Sequence, residues 1–290
     1  MRYRRFFTAR HLCAFAPLCL CVLFLFSDAN FAQTGPGEDP SGVSDVADLA
    51  ARAFEEAEQL RAEGTRPALL KAVKKYEESR RNWRLLKRGY SEAVTANALG
   101  LTFYALGETR RAVACFTQAL PGLRATNGKK LQVASTLNNL GVAHGDLDDE
   151  RAAISCFEQA LAIYRTEGER AGEARTLNNI GKSHRDLGDL ETATTFYEQA
   201  LAIYADVYEA RDEAIALNNL GVVLWQQGRH RPALEKYERS LLLRRIAGDR
   251  AGAITTLGNM ALAYDSLNEA ENAKKCRDEA ERMKKDPEFE

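Results

Sequence analysis

The sequence predicts an all-α protein, a solenoid of stacked helical hairpins, and three observations carry that reading. First, a five-residue block recurs as LNNLG at Leu137, LNNIG at Leu177, LNNLG at Leu217 and LGNMA at Leu257, a constant spacing of 40, with ANALG at Ala96 one residue further back. A fixed period in this range marks units that bury their apolar faces on one another. Second, each period holds two helical stripes. In the third unit Leu177, Ile180, Gly181 and His184 fall at i, i+3, i+4 and i+7, and Ala193, Tyr197, Ala200, Leu201 and Tyr204 trace another. Third, the chain of 290 residues is 45% hydrophobic with only 7 Pro, so it can bury a core and run in long helices.

The N-terminal segment stands apart from the repeats. Arg2, Arg4, Arg5 and Arg10 precede an apolar run from Leu12 to Phe26, and Ser27-Asp28-Ala29 and Asn30-Phe31-Ala32 offer small-residue cleavage contexts. This order reads as a secretory signal over residues 1–32, with an exported, periplasmic or extracellular product. The run is shorter than the ~20 residues that cross a bilayer and is interrupted by Pro17, so no stable membrane span is expected after cleavage. An N-terminally anchored form is the alternative. Residues 33–44, with GPGEDPSG, read as a flexible linker.

A degenerate helical hairpin is expected over 45–95, where Ala72, Tyr76 and Trp83 align with second-helix positions. Repeats follow at 96–136, 137–176, 177–216 and 217–256, and 257–290 forms a last repeat that doubles as a polar cap. Terminal units are atypical because one of their faces meets water. Inside each hairpin Gly107, Asp148, Gly188, Gly228 and Asn268 mark the turn, all residues that tolerate a left-handed backbone. Small residues Gly100, Gly141, Gly181 and Gly221 on the first helix, and Ala112, Ala153, Ala193, Ala233 and Ala273 on the second, let the helices approach. Phe116, Phe157, Tyr197 and Tyr237 fill the space beside them.

This spacing of leucine, glycine, alanine, aromatic and alanine resembles the tetratricopeptide repeat, in a 40-residue form longer than the usual 34. Similar long repeats occur in kinesin light chains and in bacterial arrays associated with CHAT-type peptidase domains. The resemblance implies a right-handed superhelix whose first helices line a concave groove, and a role in protein binding. The six extra residues are expected to prolong the second helix and its turn, through segments such as YRTEGERAG after Ile163.

The constellation with functional content is a ladder of asparagines: Asn97, Asn138 and Asn139, Asn178 and Asn179, Asn218 and Asn219, and Asn259. Asn is a poor interior-helix residue, so a pair kept in register needs a use for its amides. Asn138, Asn178 and Asn218 serve either as groove ligands or as structural ties to the preceding repeat's backbone. Asn139, Asn179, Asn219 and Asn259 share a helix face with Val142, Lys182, Val222 and Leu262, the stripe that the resemblance places in the groove. Donor and acceptor on each amide suit an extended peptide backbone. Arg175, Lys182 and Arg185 read as a basic patch and Trp225 as an aromatic anchor, the alternatives being a solvated charged face and packing between repeats. The chaperone-tail clamp of the family needs a Lys and an Asn where Asn138 and Val142 stand, so that ligand is not implied.

Enzyme chemistry finds little support in the residues. Gly181-Lys182-Ser183 resembles the end of a phosphate-binding loop, but Thr176 stands where a Gly is required and the segment reads as helix. No HExxH, GxSxG or paired CxxC occurs, and no cofactor or metal is expected. His144 and His184 take packing positions. Cys115, Cys156 and Cys276 are expected as free, partly buried thiols, and nothing in sequence orients His144 as a base for Cys115. The balance of 40 Lys plus Arg against 41 Asp plus Glu gives no general reason to expect nucleic acid; the asparagine ladder and the resemblance make a protein or peptide the expected partner. Oligomeric state is not encoded in these patterns.

Overall fold

The computed structural model describes residues 40–285, and among them it holds twelve α-helices and no strand. The chain divides into two compact units at Asp149/Glu150. The first contains α1 (Pro40–Ala62), α2 (Arg66–Leu85), α3 (Gly89–Ala105), α4 (Thr109–Arg124) and α5 (Lys130–Asp146). The second contains α6 (Glu150–Glu167), α7 (Arg170–Asp186), α8 (Leu190–Val207), α9 (Ala210–Gln226), α10 (His230–Ile246), α11 (Arg250–Ser266) and α12 (Ala270–Lys285). Within each unit consecutive helices pack on each other, and first helices one repeat apart also touch: α3 with α5, α7 with α9, α9 with α11.

The turns follow the chemistry read from the sequence. Gly107, Asp148, Gly188, Gly228 and Asn268 all have positive φ, between 58° and 85°. Helix starts are capped where a side chain permits: Thr65 Oγ1 accepts from the Ala68 N–H at 3.3 Å, Asp189 from Thr192 and Asp249 from Gly252. Ala112, Ala193, Ala233 and Ala273 are fully buried, and so are Phe116 and Tyr197. A methyl group built on Gly100 would sit 2.7 Å from Phe116, and one on Gly221 would sit 2.5 Å from Tyr237. The absence of a side chain at these two places lets the ring close on the first helix.

The repeat boundaries differ from the expected ones. Each first helix begins about seven residues before its LNNLG block, so that Leu177 lies in the middle of α7 and the segment 89–95, expected in the degenerate hairpin, opens α3. The extra length is shared: α6 has 18 residues and α7 has 17, and ERAG belongs to the turn and the start of α7, not to a prolonged second helix. Left-handed Gly168 and the cap Glu169, whose carboxylate accepts from the Gly172 N–H at 2.5 Å, set that start. The expected linker 33–44 is helical from Pro40 on, since Pro at a helix start gives up no intrahelical N–H. Residues 1–32 and the rest of that linker lie outside the described residues. No described helix is long and apolar enough to cross a membrane.

Candidate functional site: the polar face of the first helices

In the first unit, three side-chain bridges join α3 to α5 at intervals close to one repeat. Tyr90 donates to Gln132 Oε1 at 2.8 Å, Thr136 Oγ1 donates to Asn97 Oδ1 at 3.1 Å, and the Tyr104 hydroxyl donates to Asp146. Burial, reinforced by that carboxylate, pushes the Tyr104 phenol far above its ordinary value, so it stays a donor. Asn138 and Asn139 are both buried, at 6% and 7% exposure.

In the second unit the ladder becomes explicit. Asn219 Nδ2 on α9 donates to Asn178 Oδ1 on α7 at 3.1 Å, and Asn259 Nδ2 on α11 donates to Asn218 Oδ1 on α9 at 2.9 Å. Thr256 adds a second donor to Asn218 Oδ1, as Thr136 does to Asn97. Asn178 and Asn218 are therefore buried acceptors for the next hairpin's side chains. The expected tie to the preceding repeat's backbone is replaced by this side-chain bond, because the amide points along the stack and lies level with the next first helix. Asn178 and Asn218 thus spend their amide oxygens on the stack.

The second asparagines keep part of their capacity. Asn219 and Asn259 are half-buried and spend one N–H on the ladder, while their Oδ1 atoms accept no hydrogen bond among the described residues. Asn179 lies half-buried at the equivalent place on α7.

The expected basic patch is internally compensated. Arg175 on α7 lies 3.8 Å from Asp212 on α9, Lys182 lies 3.3 Å from Asp186, and Arg185 bonds the same carboxylate at 2.9 Å. Burial raises the Asp186 carboxyl, yet Arg185 and Lys182 outweigh it and hold the group below its ordinary range. Asp212 shows the opposite balance, its burial prevailing over Arg175 and raising it. Arg185 is only 18% exposed and serves the fold, whereas the side chains of Arg175 and Lys182 are 36% and 43% exposed and reach solvent. Trp225 is likewise a packing residue: its indole N–H donates to Ser266 Oγ on α11 at 3.0 Å and its ring packs on the core of the second unit.

Models of the tetratricopeptide repeat match residues 95–131, 132–206, 172–245 and 212–286. The chain belongs to the tetratricopeptide repeat family. Among solved structures, BtubC from P. vanneervenii is similar with a TM-score of 0.61 at 21% identity, over 83% of this chain and 91% of that one. Aspartyl phosphate phosphatase F from Bacillus subtilis is similar at 0.65 and 14% identity, over 84% and 72%. The Rap conjugation gene regulator of the plasmid pLS20, in complex with the Phr* peptide, is similar at 0.56 and 14% identity, over 90% and 82%. At these identities the likeness is one of fold. No curated protein sequence matches the chain significantly.

Other features of the tetratricopeptide array have structural partners. His184 Nδ1 lies 3.4 Å from Asp189, and its ring stacks on Phe196 with centroids 5.5 Å apart. His144 pairs with Asp149 at 3.6 Å. Cys115, Cys156 and Cys276 are buried and form no disulfide among the described residues, and burial pushes the Cys115 and Cys276 thiols up. The charged groups acting on Cys115 are Arg80, Arg111 and Glu77. Gly181, Lys182 and Ser183 lie within α7, not in a phosphate-binding turn. Among the described residues no group of His, Cys, Asp and Glu gathers as a metal site. A cavity of about 310 Å³ lies between α6, α7 and α8, with Leu161, Ile180 and Phe196 among its apolar walls and Glu158 and Arg165 at its polar ones.

Proposed function

We propose that the protein is a binding module whose first-helix face holds an extended peptide segment of a partner protein. One observation carries the reading: Asn219 and Asn259 brace the stack with one N–H and keep an amide oxygen unengaged on a half-exposed face. A row of such acceptors, one per hairpin, suits the N–H groups of an extended backbone and asks little of its sequence. Arg175, Lys182 and Asp212 flank that row and supply side-chain preference. The peptide complex of the pLS20 regulator supports the reading by analogy of fold. Recognition and not bond chemistry is the proposed activity, since the thiols and imidazoles are engaged in packing. Export of the chain is proposed from the arginine-rich start and apolar run of residues 1–32.

A scaffold role is the second reading, favoured by Leu242 and Ile246, which stand 58% and 71% exposed on α10. Panning a displayed library of unstructured peptides separates the two. Enriched peptides that lose binding to Asn219→Ala/Lys182→Glu protein but keep it for Leu242→Gln/Ile246→Gln protein support the first-helix face. The reverse pattern moves the interface to α10 and sinks the first reading. Circular dichroism and melting curves confirm that both variants are folded.

A further inference from the structure

Charge is distributed unevenly along this chain. Residues 66–88, which cover α2 and the turn after it, carry nine Lys or Arg against Glu77 and Glu78, on a protein whose net charge is −1. Part of this charge is spoken for: Lys75 meets Glu56 and Glu78, Arg80 and Arg84 meet Glu92, and Glu77 meets Arg111. Arg66, Lys71, Lys74 and Arg81 are exposed and form no ion pair among the described residues. At 100° per residue Arg66, Leu70, Lys74, Arg81 and Leu85 fall on one side of α2, opposite the buried Ala72, Tyr76 and Ser79; Lys71 borders that side, and Glu77, which lies within it, is paired with Arg111. On that stripe Leu70 is 44% and Leu85 is 75% exposed.

We propose that this outer face of α2 docks on an anionic phospholipid surface. Basic side chains interleaved with exposed leucines along a helix about 30 Å long match a layer that offers negative headgroups outside and acyl chains beneath. A nucleic-acid backbone would satisfy the cations but return nothing for Leu70 and Leu85, which is why the bilayer is the better fit. The face belongs to the first unit and shares no residue with the peptide face proposed on α7, α9 and α11.

Co-sedimentation of the full chain with vesicles tests the assignment, using phosphatidylcholine alone or with one-third phosphatidylglycerol. Binding by the apolar run at Leu12–Phe26 and the arginines before it is the same in the wild type and in every variant, so it cancels in the comparison between proteins. Each Lys or Arg near an anionic surface raises partitioning about fivefold, so Lys71→Gln/Lys74→Gln/Arg81→Gln lowers the phosphatidylglycerol-dependent increment on the order of 100-fold. Leu85→Gln lowers partitioning about tenfold on anionic vesicles. All four positions are exposed, so helicity is retained. Partitioning that ignores phosphatidylglycerol, or an increment unchanged in the triple variant, overturns the proposal. So does vesicle binding indifferent to Leu85→Gln together with equal affinity for a labelled DNA duplex or polyglutamate, which would mark a general polyanion site.

Discussion

Asn259 on α11 donates its amide N–H to Asn218 Oδ1 on α9 at 2.9 Å, and Thr256 donates to the same oxygen at 3.3 Å. Asn218 is 7% exposed, so its removal strands two donors at the seam between hairpins. Asn218→Ala is expected to cost about 1–3 kcal/mol, and Asn259→Ala less because water reaches its half-buried amide. A double-mutant cycle followed by urea denaturation should show coupling of roughly 0.5–2 kcal/mol. Strict additivity of the two substitutions would mean that the bond does not staple the hairpins.

Two glycines of first helices make opposite predictions from the same chemistry. A methyl on Gly221 meets Tyr237 at 2.5 Å, whereas one on Gly258 meets nothing within 4 Å. Alanine favours a helix interior by about 1 kcal/mol over glycine, so Gly258→Ala should raise stability by about that amount. At Gly221 the overlap outweighs the gain, because the buried ring has no room to retreat, and the substitution should destabilise by about 1–3 kcal/mol. Melting temperatures that shift in the same direction for both would refute the packing argument.

The hairpins were legible because their determinants are local: a 40-residue period, turn residues suited to positive φ, and small residues facing an aromatic. The site was legible only in part. The asparagine pairs announced that amides were needed, but sequence alone did not reveal that Asn178 and Asn218 accept from the following hairpin, since that depends on where two helices lie level. Asp212, Gln132 and Ser266 were missed as bridge partners, although a donor and an acceptor 37 to 42 residues apart is a signal the period contains. The basic stripe on α2 was hidden by the neutral total charge, which averages a basic helix against acidic ones.

Tyr208 closes α8 in a left-handed conformation, φ 57°, where Gly168 and Gly248 stand one repeat away on either side. A side chain there pays for the contact between Cβ and backbone, and at 89% exposure the ring recovers almost nothing by packing. Tyr208→Gly should therefore stabilise the protein by about 1 kcal/mol despite the greater freedom of glycine in the unfolded chain. Thermal unfolding checks it. A lower melting point would show that the tyrosine makes a compensating contact in solution.

Asp186 gives a pH-dependent prediction with a definite sign. Arg185 and Lys182 hold its folded-state pKa below the ordinary 3.8 against the opposing effect of burial, so the unfolded chain binds a proton at a pH where the folded one does not. The stability this contributes is complete above the unfolded value and is lost as pH falls through the folded one. At pH 7 Asp186→Asn should cost about 1–2 kcal/mol, since it leaves Arg185, 18% exposed, without its carboxylate. As the pH drops below 3.8 the wild type loses the same interaction, and the gap between the two proteins should close. Urea denaturation of both at pH 7 and pH 3 measures it. A gap that is the same at both values would show that the ion pair contributes nothing to the fold, and that the two basic side chains at the end of α7 are held by packing alone.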